Sequence, residues 1–456
     1  MTGGMRALLL ASLPLAALCV TMGYRAARSR ARLLSRSCAL PASARVVVFD
    51  LDHSLARYNL PALYALVHEC AASFLVREHS YDASLLRSYD HSWPSMKGLV
   101  FDCQTGDIVL LDELGVVARA IHGEHRVLDA GAIVARYGGP GCRWREADAL
   151  CGGASRGDRY FAMSTGFDSG LSLLCARIVD LADARANAAG QTADYCIHDD
   201  VFAAMMSCFQ QPAFAAETGG FFSALRAEPG KYLPPRPRVA DWLIRVRARG
   251  LRVVIVTNSA ADFARFTIAA AFGELAEQAC CDIIVANAKK PGWFAKPSPL
   301  RSVEWAHHVG TGIASSADGE VVEAPGLPCT HMLAGGSAEA LEKLFGCSGH
   351  EIVFVGDSCH GEVVPARKFG WQTMAVVEEL EGGFLEPAFW GGSFWSAPPA
   401  GAEPSPGTSA AARPQSWLGS AFKAHAHAIV ADVDSLATGA GICWRQQEPQ
   451  ADATPS

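Results

Sequence analysis

The sequence predicts an α/β protein: a Rossmann-like, three-layer core around a parallel sheet, with a large, mostly helical domain inserted after the first strand. Three observations predict it. Apolar runs rich in β-branched residues recur as RVVVF (45–49), LRVVIV (251–256), CDIIVA (281–286), EIVFVG (351–356) and QTMAVV (372–377), the pattern of strands buried on both faces of a parallel sheet. Stretches with helical spacing accompany them. The first two runs lie about 200 residues apart, whereas a strand–helix–strand unit takes about 30, so a second domain must interrupt the core.

In chain order, residues 1–44 form an apolar and Arg-rich N-terminal segment, and 45–59 carry the first strand. The inserted domain, 60–235, opens on a helical stretch within 58–78 and holds another at 170–187. Between these, KGLVFDCQTGDIVLLDELGVVARAIHG (97–123) alternates strand-like runs with turn signals, consistent with a small antiparallel sheet. The core resumes over 236–382. VADWLIRVRARG (239–250) reads as a helix ended by Gly250, and GGSAEALEKLFG (335–346) as a helix with Ser337 as N-cap, Glu339 in its first turn and Gly346 as terminator. A Pro, Gly, Ser and Ala-rich linker follows (383–416), then a segment (417–456) apolar enough to dock on the body before its last residues fray.

Half of the 456 residues are hydrophobic, 19% are charged, and the net charge is −7. The chain can bury a substantial core, and without a basic run in its body it has no groove for tracking a nucleic-acid polymer. Fifteen cysteines, an odd number without a CxxC pair, point to reduced thiols and a reducing compartment. The first 49 residues contain no Asp or Glu, and ALLLASLPLAALCVTMGY (7–24) precedes Arg25, Arg28, Arg30, Arg32 and Arg36. Three readings compete for this segment. A membrane anchor approaches the roughly 17–25 residues needed, although Pro14 interrupts it, and its trailing arginines would keep the body facing the cytosol. A transit peptide would place the protein in the mitochondrion. A dispensable or misassigned start is the third, and a cleaved secretory signal fits least.

The stretch VVVFDLDHSL (46–55) ends the first strand with two aspartates, Asp50 and Asp52. Residues two apart on a strand point the same way, so both carboxylates face the crevice at the strand's C-terminal end, where open α/β sheets bind ligands. They tolerate each other if a divalent cation lies between them or one stays protonated, and hydrolysis of a phosphate ester can use both devices. Alone, FDLD is more often a pair of solvated or capping aspartates. Three other segments alter that balance: VTNS (256–259) closes the second strand with hydroxyls, NAKKPGWF (287–294) follows the third with lysine, and VGDSCHGE (355–362) follows the fourth with acids.

Together these four segments resemble the motifs of the haloacid dehalogenase superfamily of phosphohydrolases. The fuller strings FDLDHSLARYNLPAL, GLVFD, VTNS, KKPGWF, GGSAEALEKLFG and GDSCHGEVVPAR are similar to the cytosolic purine 5'-nucleotidase group. The resemblance, from about residue 45 to 382, implies roles position by position. Asp50 would be the nucleophile, and Asp52 the acid that protonates the leaving oxygen and later activates water. Thr257 and Asn258 would bind the phosphoryl oxygens. Lys290, directly before Pro291, would neutralise developing charge, in preference to Lys289. Asp357, the Asp50 carboxylate and the Asp52 backbone carbonyl would bind Mg²⁺. The inserted domain would be a cap that selects the leaving group.

Two positions depart from the superfamily pattern: Glu362 stands where a second Asp is usual, and Ser54 where a Thr is usual. Glu362 is expected as an outer partner of metal-bound water. His198, Asp199 and Asp200 read as a helix N-terminus, and His425 and His427 as structural residues alternating along a strand. The expected function is Mg²⁺-dependent hydrolysis of nucleoside 5'-monophosphates. Turnover or transfer of another small phosphate ester, and a low-activity member that binds nucleotide or a partner, are the alternatives. Base, sugar and oligomeric state are not legible.

Overall fold

The computed structural model describes residues 39–381 and 416–445, apart from 140, 210–213, 215–219, 274–275, 309–311, 317–330 and 440–442. The apolar segment 7–24 and nearly all of the linker 383–416 therefore lie outside the described residues. Among the described residues, no helix is long and apolar enough to cross a membrane.

The core is one nine-stranded sheet. Its strands are β1 (Val46–Phe49), β2 (Arg252–Val256), β3 (Ile283–Ala286), β4 (Leu300–Ser302), β5 (His331–Gly335), β6 (Ile352–Gly356), β7 (Gln372–Val376), β8 (Ala428–Val430) and β9 (Cys443–Arg445), in the spatial order β4-β5-β3-β2-β1-β6-β7-β8-β9. Only the two outermost pairings, β4–β5 and β8–β9, are antiparallel. β1 lies at the centre, with Val46 opposite Arg252 of β2 on one side and Ile352 of β6 on the other. Alternate β1 residues feed two apolar layers: Val47 and Phe49 enter one, Val46 and Val48 the other. Helices cover both faces, so all four side chains are buried, which explains why the run is continuously apolar.

All five expected strands are present. The structure adds β4, β5, β8 and β9, three of them only three residues long, too short to leave a periodic signal. The expected helix ends are accurate at three sites: Ser337 accepts a hydrogen bond from the Ala340 amide, and Gly346 and Gly250 take the left-handed φ of +59° and +92° that helix termination demands.

Residues 60–235 leave and re-enter the core beside β1. They form long helices, Leu60–Glu78 and Leu171–Ala189, against a six-stranded antiparallel sheet, of which Leu99–Asp102, Asp107–Leu111 and Val117–His122 are the meander foreseen at 97–123. The two connections are tied together where the Asn59 amide donates to the Tyr232 carbonyl (2.9 Å). The C-terminal helix Trp417–His425 packs between this domain and the core, with Trp417 donating to the Gly98 carbonyl at 2.8 Å. One reading is corrected here. His425 ends that helix and His427 precedes β8, so they do not alternate on a strand. His427 is structural: its Nδ1 accepts from the Thr373 amide at 2.9 Å and lies 3.0 Å from Arg367.

Candidate active site

The four motif segments meet at the C-terminal ends of four neighbouring strands, β3, β2, β1 and β6. Each strand ends on a chemistry-bearing residue because hydrogen bonding within the sheet stops there while the crevice remains walled by protein. Asp50 follows β1 and is buried. Lys290, after β3, reaches it at 2.6 Å and also donates to the Val256 carbonyl (2.8 Å) and to Glu362. Lys289 is exposed and turned away, its backbone at φ +60°. Burial would lower the Lys290 pKa, but Asp50 and Glu362 raise it above the ordinary lysine value, so the ammonium persists.

Asp52 is held from two sides. Tyr58 donates to one oxygen (2.8 Å), while Ser259 (2.7 Å) and Thr257 (3.3 Å) reach the other. Burial, and then the charge of Asp50, push its carboxyl above the usual range, partly offset by the Ser259 and Tyr58 hydrogen bonds. Two neighbouring carboxyls in such different surroundings are suited to different roles. Asn258 sits elsewhere in the design: its amide accepts from the Lys290 N–H (2.7 Å) and donates to the Lys290 carbonyl (3.1 Å), clamping the lysine loop.

Asp357, after β6, is pushed up to about 6, chiefly by burial; Lys97 and His53 oppose the shift, while Asp50 and Glu378 add to it. Glu362 is more central than an outer partner. Burial, then Asp50, raise its pKa well above the ordinary value, while Lys290 opposes the shift, and one of its oxygens accepts the Ser358 amide at 3.2 Å.

Whether a divalent cation fits follows from this donor set. One oxygen each from Asp50, Asp357 and Glu362 lie within 4.8 Å of one another, all buried. Carboxyl groups predominate around them: Asp50, Asp52, Asp357, Glu362, Glu378 and Glu379 lie with Lys97, Lys290 and His53, all buried. A set of carboxyl oxygen donors suits a hard ion such as Mg²⁺.

Several contributors were not foreseen. Lys97 comes from the inserted domain and lies 3.6 Å from Asp357 and 3.5 Å from Glu379. His53 pairs with Glu378 at 3.6 Å. Ser259, the last residue of VTNS, holds Asp52. The pairs join residues hundreds of positions apart, so only the GLVFD string next to Lys97 offered a signal. In contrast, Asp199 and Asp200 do occupy the first turn of the helix His198–Cys208, where Asp200 accepts from Tyr81 (2.7 Å).

The crevice above the aspartates encloses about 770 Å³. Its apolar lining is made by Phe167, Phe209, Phe214 and Phe222 of the inserted domain and Phe263 of the core, whose rings pack edge to face at 5.1–5.4 Å.

An aspartate pair, one member buried among hydroxyls and the other held by a buried lysine, at the C-terminal ends of a parallel sheet's central strands under an inserted domain, defines a phosphatase of the haloacid dehalogenase type. The chain belongs to the 5' nucleotidase family, whose model matches residues 41–384. It is similar to 5'-nucleotidase domain-containing protein 1 of Homo sapiens, at 32% identity over 75% of this chain and 73% of that protein. The Bos taurus protein of the same name is 33% identical over 75% and 74%. A solved structure titled as a predicted phosphoglycolate phosphatase from Haemophilus somnus aligns with 12% identity and a TM-score of 0.27, over 74% of this chain and 86% of that one.

Proposed function

We propose that the protein hydrolyses nucleoside 5'-monophosphates with Mg²⁺, through an aspartyl-phosphate intermediate on Asp50. The observation that carries this reading is the crevice itself, lined both by Asp50, Asp52 and Lys290 and by a cluster of phenylalanines. Such an aromatic lining fits a flat aromatic base, and the polar groups fit a single phosphate.

The Asp50 carboxylate attacks phosphorus as the ester P–O bond breaks, and Asp52 gives its proton to the departing 5'-oxygen. Asp52 then takes a proton from water as that water attacks the aspartyl phosphate, freeing inorganic phosphate and restoring both carboxyls. Lys290 balances charge on Asp50 and on the transferring oxygens, and Thr257 offers them its hydroxyl. Asp50, Asp357 and the Asp52 backbone carbonyl, with Glu362 within reach, would hold Mg²⁺, which when bound would supply further neutralisation of the phosphoryl oxygens.

The test is a panel of phosphate esters with purified protein and Mg²⁺, run beside Asp50→Asn. Nucleoside monophosphates should be the best substrates and the variant should be inactive with an unchanged fold, because an amide of the same shape is a poor nucleophile. Wild-type turnover by Asp50→Asn would refute the assignment, and preference for a small aliphatic ester would refute the substrate.

A further inference from the structure

Lys97 belongs to the inserted domain, yet its ammonium lies in the core's carboxylate cluster. The backbone beside it is held in place from two directions. The Gly98 amide donates to the Met163 carbonyl (2.7 Å) within the cap sheet, and the Gly98 carbonyl accepts from Trp417 of the C-terminal helix (2.8 Å). Gly98 itself has φ +96°, a backbone conformation that calls for glycine. The lysine side chain is 3% exposed.

Its ammonium lies 3.6 Å from Asp357 Oδ2 and 3.5 Å from Glu379 Oε2. These distances exceed the roughly 2.8 Å of an ammonium–carboxylate hydrogen bond, so the contact steers Asp357 weakly. It remains close enough to act strongly through charge, because buried charges are poorly screened. Glu379 and its neighbour Glu378 are buried with no hydrogen-bond partner on any carboxyl oxygen. Lys97 is thus divided between a carboxylate of the cation site and a buried carboxylate behind it.

We propose that Lys97 sets the cation affinity of the active site from the cap: by placing positive charge against Asp357 it weakens that residue's hold on Mg²⁺, and Glu379 tempers the effect by drawing the ammonium back. The inference rests on the Mg²⁺ reading above. Lys97 acts through Asp357, and the cap, besides walling the crevice, adjusts how readily the core exchanges its cation.

The experiment is calorimetric titration of Mg²⁺ into the full chain without substrate, for wild type, Lys97→Met, Lys97→Arg, Glu379→Gln and Asp357→Asn. Lys97→Met should bind Mg²⁺ about tenfold tighter, within the range of outer-partner effects. Lys97→Arg, which keeps the charge, should stay near wild type. Glu379→Gln leaves the ammonium to Asp357 alone and should bind about tenfold more weakly. A merely structural lysine would lower the melting temperature in Lys97→Met without tightening Mg²⁺ binding, and unchanged or weaker binding there overturns the proposal. Should Lys97→Met fail to fold, Glu379→Gln decides, and an unchanged constant overturns it. Wild-type protein that binds no better than Asp357→Asn would overturn the Mg²⁺ reading together with this one.

Discussion

At the scale of single residues, the two aspartates after β1 are chemically alike and differ through their neighbours. Asp50 faces the Lys290 ammonium at 2.6 Å, whereas Asp52 is buried against hydroxyls of Tyr58, Ser259 and Thr257. Burial and the neighbouring Asp50 charge favour the protonated carboxyl against the opposing pull of the Ser259 and Tyr58 hydrogen bonds, which suits Asp52 to protonate a leaving group. A nucleoside 5'-oxygen departs as a strongly basic alkoxide unless protonated, whereas nitrophenolate leaves unaided. Asp52→Asn should therefore slow the first phosphoryl transfer from a nucleotide by about 10²–10⁴-fold, and slow the transfer from nitrophenyl phosphate far less. Single-turnover kinetics on both substrates measures this, and equal slowing would reduce Asp52 to a positioning role. The two aspartates and the lysine could be read from the sequence because each lies next to a strand end in a short motif. The hydroxyl of Ser259 could not be assigned, since its target depends on how β1 and β2 pair.

At the scale of elements, the C-terminal segment locks the junction between cap and core. Asp432, just after β8, pairs with Arg236, and its other oxygen accepts from Arg57 at 2.5 Å. Arg236 also donates to the carbonyls of Ser54 and Leu55, both at 3.2 Å. Both connections to the cap are thereby fastened by one carboxylate. Burial raises its pKa, but Arg236, the Asp434 amide and Arg57 outweigh that and hold it below the ordinary 3.8. A depressed folded pKa gives stability that is complete above the unfolded value and lost as pH falls through the folded one. Asp432→Asn should thus cost about 3 kcal/mol near neutrality, as expected for a buried pair missing one partner, and the deficit should shrink below about pH 4. Denaturant unfolding at pH 7 and pH 3 checks both statements; an equal deficit at both would place the effect outside this ion pair. The long central strands were legible because double-sided burial makes them continuously apolar. β8 was not, because three residues have no period and gain their place from pairing with β7 and β9.

At the scale of the whole molecule, function depends on two domains meeting over one crevice. The core supplies the carboxylates and lysine, while Phe167, Phe209 and Phe222 come from the inserted domain and Phe263 from the core. Phe209→Ala should raise KM for nucleoside monophosphates about 3- to 10-fold, the range of one lost aromatic contact. It should leave KM for a small aliphatic phosphate ester nearly unchanged. Steady-state kinetics on the pair of substrates decides, and parallel changes would remove the phenylalanine lining from substrate recognition. The sequence by itself determined the α/β core, the interruption after β1, and Asp50, Asp52, Thr257, Lys290 and Asp357 at strand ends, because hydrophobic period and strand-end chemistry are local properties of the chain. Tertiary structure alone decided that Asn258 clamps the Lys290 loop, that Glu362 contacts Lys290 directly, that Lys97 crosses from the cap to Asp357, and that Asp432 fastens both connections. Each of these pairs residues far apart in the chain, and a buried charge finds its partner through packing geometry, which no local pattern encodes.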